Sequence, residues 1–182
     1  ATQGIRAGHK MGGLALVDMM VGALSDPFGN GHMGITAENV AREKGISREA
    51  QDRVAVASHN RAERARAEGR FSDQIVPVMV KRRREELAFD QDEHIREGAT
   101  PENLAKLRPV FDKAGTVTAG NASGINDGGA AVVLMSQTRA EREGLKPLGR
   151  LLGYAHAGVD PKLMGLGPIP AVTRLLERTG LS

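Results

Sequence analysis

The sequence contains no cysteine and no tryptophan, and aromatic residues make up only 3% of its 182 positions. Without cysteine, the chain can form neither a disulfide nor a thiolate metal site of its own, although this absence does not identify a compartment. No apolar run approaches the roughly 20 residues of a membrane-spanning helix. The N-terminus lacks the basic-then-apolar pattern of a signal peptide. The composition therefore predicts a soluble, cytoplasmic protein with an aliphatic core.

Several motifs that would carry chemistry are also missing. The histidines stand singly, at positions 9, 32, 59, 94 and 156, so no metal-ligand grouping is visible. Gly165-Leu166-Gly167-Pro168 fails the glycine spacing of a dinucleotide-binding loop, and its proline lacks the N–H that a phosphate would need. Ser123 lies in Ala-Ser-Gly and not in the Gly-x-Ser-x-Gly of a hydrolase. We therefore predict no metal, no dinucleotide and no serine nucleophile.

The charge pattern leaves three interpretations open. The formal net charge is +3, and four cations stand together at 81–84, directly before Glu85 and Glu86. They indicate a solvated loop whose charges pair internally, a site for a small polyanionic ligand, or a nucleic-acid surface. No aromatic platform or nucleic-acid motif accompanies the cluster, so we expect no nucleic-acid partner.

What the sequence has in abundance is a run of small residues at 115–130, which leads into the apolar segment 130–135. The glycines within 120–129 remove side-chain bulk, so that a backbone or a ligand can approach closely. Ser123 carries the only side-chain hydroxyl between Ala119 and Gly124. That combination suits a thin, amide-bearing ligand. The alternative is a loop and a buried strand whose small residues serve packing alone.

Caps and breakers predict the helices. Ser47 begins a long helix that ends near Glu68, with Ala50, Val54 and Ala57 as its buried stripe. Thr36 is the expected N-cap of a helix over 37–44, with Glu38 near its positive end. Further helices are predicted over 18–24, 101–106, 137–143 and 169–179.

Strands are predicted over 116–119, 130–135 and 148–156, with an edge strand over 75–80 and an irregular, charged region over 81–114. Residues 1–16 are expected to form an extended loop or hairpin. The strand–helix–strand–helix order from 130 to 180 indicates a layered α/β architecture.

Spaced motifs along essentially the whole chain closely resemble the thiolases, specifically the biosynthetic acetyl-CoA acetyltransferases, or β-ketothiolases. They are, in chain order, His-Met-Gly-Ile-Thr-Ala-Glu-Asn-Val-Ala at 32–41, Ser-Arg-Glu-Ala-Gln-Asp at 47–52, Gly-Arg-Phe at 69–71, Ile-Val-Pro-Val at 75–78, Leu-Arg-Pro at 107–109, Gly-Asn-Ala-Ser-Gly at 120–124, and the glycine-rich segments between 149 and 171.

The resemblance implies an α/β protein with the thiolase-like layered αβαβα fold. Thiolase chemistry uses a nucleophilic cysteine, an Asn-Glu-Ala-Phe-type loop, a Gly-His-Pro motif and a Cys-x-Gly-Gly motif, and none of these occurs here. We therefore interpret the chain as the middle portion of a thiolase, with no catalytic residue. This fragment would comprise most of the loop domain (1–114), the end of the N-terminal half (115–146) and the start of the C-terminal half (147–182).

One set of candidate binding residues would surround the acyl group. By resemblance, His32 and Met33 line the pocket for CoA and the acyl group, where an isolated histidine would otherwise be structural. Leu24 and Met164 match apolar residues of the same pocket, and core packing is the equal alternative for both.

A second set would bind the CoA chain itself. By resemblance, Arg96 borders the adenine, as a planar guanidinium can, and Leu104 adds an apolar contact. Asn103 stands where relatives often have serine, which puts its adenine contact in doubt. The matching serine of the family hydrogen-bonds a pantetheine amide, and its small neighbours line the same wall. In this chain these residues are Ala119, Ala122, Ser123 and Gly124.

The function that the resemblance implies is the reversible condensation of two acetyl-CoA molecules to acetoacetyl-CoA and CoA. Coenzyme A is then substrate and product, and no cofactor is expected. Residues 1–16 match a segment that joins dimers, which implies a homotetramer. The alternatives are a degradative 3-ketoacyl-CoA thiolase and a non-catalytic thiolase-like piece that binds CoA or partner chains.

Overall fold

The computed structural model describes residues 17–82 and 85–182. The predicted loop or hairpin at 1–16, which is also the predicted tetramerisation segment, lies outside these residues. The helices are α1 (Met19–Ala23), α2 (Met33–Glu43), α3 (Arg48–Ala67), α4 (Pro101–Ala105), α5 (Gln137–Arg142) and α6 (Pro168–Thr179), and a 3₁₀ helix spans Pro161–Leu166. The chain divides into two units, one of residues 37–124 and one whose described residues are 17–36 and 125–182.

Helix α3 is the longest element of the 37–124 unit, and its bounds confirm the sequence prediction. Ser47 is its N-cap, and the Ser47 hydroxyl accepts a hydrogen bond from the Ala50 N–H at 3.2 Å. Gly69 follows its end with a φ of 68°, which an L side chain adopts only under strain. The predicted apolar stripe is wrong, because Val54 is 72% exposed and Asp52 is the buried residue of the helix.

A β-hairpin, β1 (Val78–Arg82) with β2 (Glu85–Phe89), corrects the prediction that the region after residue 80 is irregular. The strands pair antiparallel, with Lys81 opposite Glu86 and Arg82 opposite Glu85. Opposite charges on facing positions favour this register. Both strands are exposed along their whole length, and they form the only sheet in the described part of the chain.

The core of the 37–124 unit is small and partly polar. Its buried apolar residues are Ala41, Ala99, Leu104 and Val117, and its buried polar residues are Glu38, Asp52 and Thr118. The predicted strand at 116–119 amounts to one isolated bridge between Pro109 and Thr118. The loop that follows belongs to no sheet in the described part of the chain.

The other unit confirms three predicted helices and moves the start of a fourth. Helices α1 and α5 lie within their predicted spans, α6 begins one residue before its own, and Gly180 ends α6 in the left-handed conformation at φ 68°. Helix α2 begins at Met33 and not after Thr36, so the predicted N-cap is wrong. Thr36 lies inside the helix, where its hydroxyl donates to the Met33 carbonyl at 2.8 Å.

The predicted strands at 130–135 and 148–156 do not form. A strand needs a paired neighbour for its backbone groups, and no such partner exists within the described ranges. Burial nevertheless alternates residue by residue over 152–160, the period of an extended chain with one covered face. Gly153 lies against α6 so closely that a Cβ there would approach Thr179 Cγ2 to 2.8 Å.

Both segments leave large apolar side chains in water. Val132, Val133 and Leu134 are each more than 80% exposed, and Leu151 is 76% exposed. Contiguous apolar exposure of this kind marks surfaces that other chain or partner atoms normally cover. None of the helices in the described ranges combines the length and apolar character that a bilayer crossing requires.

Candidate functional site

The candidate site is the loop 115–124, which lies in the 37–124 unit and carries four of the predicted binding residues. The loop folds around Thr118, which is fully buried. The Thr118 carbonyl accepts the Asn121 N–H at 3.2 Å and the Ala122 N–H at 3.0 Å, and its hydroxyl accepts the Gly120 N–H at 3.2 Å. These bonds satisfy the turn's own backbone and fix its shape.

Glu38 of α2 holds the beginning of this loop. Its carboxylate, in a residue only 4% exposed, accepts the Thr116 N–H at 2.8 Å, the Val117 N–H at 2.7 Å and the Thr116 hydroxyl at 2.9 Å. Hydrogen bonds to a charged acceptor are stronger than neutral ones. From the sequence, Glu38 was predicted only to lie near the positive end of a helix, and its role in holding the loop was missed.

Two of the loop's glycines, Gly115 and Gly120, are closely packed. A Cβ at Gly115 would lie 2.3 Å from Glu38 Oε1, and one at Gly120 would lie 2.5 Å from Leu107 Cδ1. Neither distance is compatible with a real side chain. The small residues at these two positions therefore serve packing, as one of the two interpretations held.

Polar side chains on one face of α3 hold the loop and its surroundings. These polar residues recur at the spacing of one helical face, and they are Arg48, Asp52, His59, Glu63 and Arg66. Arg48 donates to the Leu104 and Leu107 carbonyls at 2.8 and 3.0 Å. Asp52 Oδ1 accepts from Asn121 Nδ2 at 2.9 Å. Glu63 Oε2 accepts the Gly98 N–H at 3.0 Å, and Arg66 pairs with Glu97.

Arg96, a predicted CoA-binding residue, is tied to the loop directly. Its guanidinium Nη2 donates to the Ala119 carbonyl at 3.0 Å, and its backbone N–H donates to His59 Nδ1 at 3.2 Å. The structure thus brings Arg96 beside the small-residue run. Arg96 is exposed, so its guanidinium is accessible to a ligand.

His59 links Arg96 to α3 and has a perturbed acidity. Burial lowers the pKa of His59 from its ordinary value of 6.5, and the positive charges of Arg96 and His94 act in the same direction. A neutral ring keeps Nδ1 free to accept the Arg96 N–H. His59 and His94 are isolated histidines in the sequence, but in the structure their ring centroids lie 6.2 Å apart.

Ser123, Asn103 and Leu104 differ in accessibility. Ser123 is exposed, and its hydroxyl makes no hydrogen bond within the described residues. Asn103 is also exposed, and its N–H donates to the Thr100 hydroxyl that caps α4. Leu104 is only 2% exposed and packs beneath Gly120, so it supports the loop from the core. Its predicted contact with a ligand stays a prediction.

The residues predicted for the acyl pocket lie in the other unit, where a tight turn joins three of them. The Met33 N–H donates to the Leu24 carbonyl at 2.7 Å, and His32 Nδ1 accepts the Gly34 N–H at 3.0 Å. Between them, the Asp26 carboxylate accepts the Phe28 and Asn30 N–H groups at 3.1 and 2.9 Å. Met164, 42% exposed, lies in the 3₁₀ helix of the same unit.

Two further features lie outside these sets. An open groove of about 540 Å³ in the 37–124 unit contains none of the predicted residues, and its lining includes Arg66, Phe71, Ile75 and Asp92. Among residues 17–82 and 85–182, no three His, Cys, Asp or Glu side chains come together as a metal site would require.

Comparison with known proteins identifies the family. Residues 1–138 match the model of the thiolase N-terminal domain. The chain is 60% identical to beta-ketothiolase BktB of Cupriavidus necator, over 97% of this chain and 45% of that protein. It is 55% identical to an acetyl-CoA acetyltransferase of Rhizobium meliloti, over 98% of this chain and 46% of that protein.

A solved structure shows the same likeness. The chain is similar to the acetyl-CoA acetyltransferase of Bacillus anthracis, with a TM-score of 0.81 and 49% identity over 98% of this chain and 45% of that one. The chain therefore belongs to the thiolase family, and it spans a little under half the length of these relatives. Its predicted placement as the middle portion is wrong, because the matching model describes the N-terminal domain.

Proposed function

We propose that the protein carrying this chain is an acetyl-CoA acetyltransferase, which condenses two acetyl-CoA molecules to acetoacetyl-CoA and CoA or catalyses the reverse thiolysis. A cysteine thiolate would take the acetyl group from the first substrate, and the second substrate, deprotonated at its methyl carbon, would attack it. The chain contains no cysteine, so it would contribute binding residues and no nucleophile.

The observation that carries this proposal is the loop 119–124 with Arg96 attached to it. The loop is rigidly bonded, its residues are small, and it exposes one hydroxyl, at Ser123. A pantetheine arm is narrow and carries amides that such a wall can bind. The exposed Arg96 guanidinium offers a planar cation for an adenine or a phosphate. His32, Met33, Leu24 and Met164 are assigned to the acyl end of the same substrate.

Three further assignments belong to this proposal. The division into a loop domain (1–114), the end of one thiolase half (115–146) and the start of the next (147–182) would place Arg96, Asn103 and Leu104 on the loop domain and the loop 119–124 at the end of the first half. Residues 1–16 would join dimers into a homotetramer, and the protein would be cytoplasmic. Light scattering that gave a dimer at micromolar concentration would contradict the tetramer.

A matched pair of serine variants in the complete protein tests the proposal. Ser123→Ala should weaken CoA binding by about 0.5–1.5 kcal/mol, the net value of one neutral hydrogen bond. Ser58→Ala, on the exposed surface of α3, should leave it unchanged. Equal Michaelis constants for CoA in wild type and Ser123→Ala would remove Ser123 from the site.

Substrate length and turnover separate the alternatives. An acetyl-CoA acetyltransferase should cleave acetoacetyl-CoA far better than long-chain 3-ketoacyl-CoA, and a degradative thiolase should show the opposite preference. A protein that binds CoA without any thiolysis would be the non-catalytic alternative.

A further inference from the structure

We propose that Asn121, anchored by Asp52, is a positioning residue that sets the loop 119–124 against the CoA chain. This inference rests on the proposed function. Neither residue was among the candidates from the sequence, and 69 positions separate them. Their side chains meet at a bond of 2.9 Å between Asn121 Nδ2 and Asp52 Oδ1.

The Asp52 carboxylate is buried and held in one orientation. The residue is 4% exposed, and its other carboxylate oxygen accepts from Arg48 Nε at 2.7 Å. Arg48 also donates to the carbonyls of Leu104 and Leu107. These bonds hold the Arg48 guanidinium in place, and the guanidinium in turn holds the Asp52 carboxylate. A buried carboxylate held in this way presents one oxygen in a defined direction to the loop.

Asn121 uses both faces of its amide. Nδ2 donates to Asp52 and also to the Thr116 carbonyl at 3.0 Å, and Oδ1 accepts the Thr118 N–H at 2.7 Å. Both amide hydrogens are therefore committed, and rotation of the amide by 180° would turn donors toward a donor. The side chain ties both arms of the turn to α3 in one arrangement.

The consequence for ligand binding follows from the sequence order. Ser123 lies two residues after Asn121, and the exposed hydroxyl has no hydrogen bond of its own within the described residues. Its place is set by the turn, whose bonds converge on Thr118 and Asn121. Asn121 therefore acts on the substrate through Ser123 and the neighbouring backbone.

Aspartate at position 121 is the informative change. It keeps the shape of asparagine but removes both donors, and its carboxylate would face the Asp52 carboxylate and the Thr116 carbonyl. In the complete protein, Asn121→Asp should raise the KM for CoA about tenfold, with kcat changed less than about twofold. The matched control is Asn60→Asp on the exposed surface of α3, which should change neither constant.

Exchanging the two side chains should restore the bond between positions 52 and 121. In the double variant Asp52→Asn with Asn121→Asp, the new amide can donate to the new carboxylate, while its oxygen accepts from Arg48. The KM for CoA should fall below that of Asn121→Asp alone, since the bridging bond is restored, but stay above wild type, since the Thr116 carbonyl still lacks its donor. If Asn121→Asp alone does not fold, Asp52→Asn takes its place as the single variant and should raise the same KM.

The outcomes are distinguishable. A variant with a lower melting temperature but an unchanged KM would make Asn121 purely structural and overturn the inference. So would a double variant no better than the single one. A wild-type protein that neither cleaves acetoacetyl-CoA nor binds CoA would remove the proposed function, whereas an active wild type with these results would remove this inference alone.

Discussion

Replacing Glu38 should loosen the candidate site more than any surface change on the same helix. Its carboxylate is buried, and it receives two backbone N–H groups, those of Thr116 and Val117, and the Thr116 hydroxyl. Glu38→Ala leaves these donors without an acceptor in a place that water reaches poorly. Each unsatisfied buried donor costs about 1–3 kcal/mol, so we expect a loss of about 3–5 kcal/mol in the free energy of unfolding.

Glu38→Gln tests the origin of that effect. The amide keeps the side chain's volume and one oxygen acceptor, but it turns an N–H₂ toward backbone donors. We expect a loss of about 2–3 kcal/mol, between wild type and Glu38→Ala. Glu43→Ala is the control, because Glu43 is exposed at the end of α2, where a negative charge brings no gain.

Urea unfolding of the complete protein measures the loss, and amide hydrogen exchange locates it. The amides of Thr116 and Val117 should lose protection in Glu38→Ala while the middle of α3 keeps it. If both amides stayed protected, or if Glu38→Ala were as stable as Glu43→Ala, the carboxylate would not hold the loop and the reasoning would be refuted.

Three further predictions follow from the packing and charges. Gly120→Ala should cost about 1–3 kcal/mol in urea unfolding, because the new Cβ would meet Leu107, and an unchanged midpoint would contradict that contact. Because the pKa of His59 is lower in the folded protein than in the unfolded chain, the unfolded chain binds a proton at a higher pH than the folded protein does. The free energy of unfolding should therefore decrease as the pH falls below 6.5 and level off below the pKa of folded His59. In His59→Asn the amide oxygen can still accept the Arg96 N–H, and the melting temperature should depend less on pH between about pH 7 and pH 5. If the pH dependence of the melting temperature were unaltered, His59 would not be its cause. The 182 residues alone should show no thiolysis, since they have no thiol, and should aggregate through 132–134, so turnover by the pure chain would refute the assignment of the nucleophile elsewhere.

Local signals predicted the elements that local contacts stabilise. The cap Ser47 and the left-handed Gly180 each act within one turn of their helix, and both helices form close to where they were expected. Helix α2 starts earlier than predicted because His32, and not Thr36, meets its first N–H groups. The position of His32 depends on the turn that precedes α2, and N-cap preferences take no account of that turn.

Non-local structure was not readable from the sequence. The segments 130–135 and 148–156 have strand composition, but a strand forms only when another strand pairs with it. For the same reason β2 was missed, because its polar residues gain strand structure only opposite β1.

The candidate site shows the same limit. Motif resemblance found Ser123 and Arg96, which the structure places on or beside one loop. The residues that hold this loop were missed, since Glu38 and Asp52 reach it across 78 and 69 positions. The polar residues of α3 recur on one helical face, and this periodicity could have indicated the side chains that hold the loop.

Hydrogen exchange of the complete protein with and without CoA tests the central claim most directly. If this part of the chain forms the CoA-binding wall, saturating CoA should slow exchange in the peptides that cover 119–124 and 94–98, and Ser123→Ala should reduce that protection. Exchange slowed only at the hairpin 78–89 or the groove near Phe71, with 119–124 unchanged, would contradict the account.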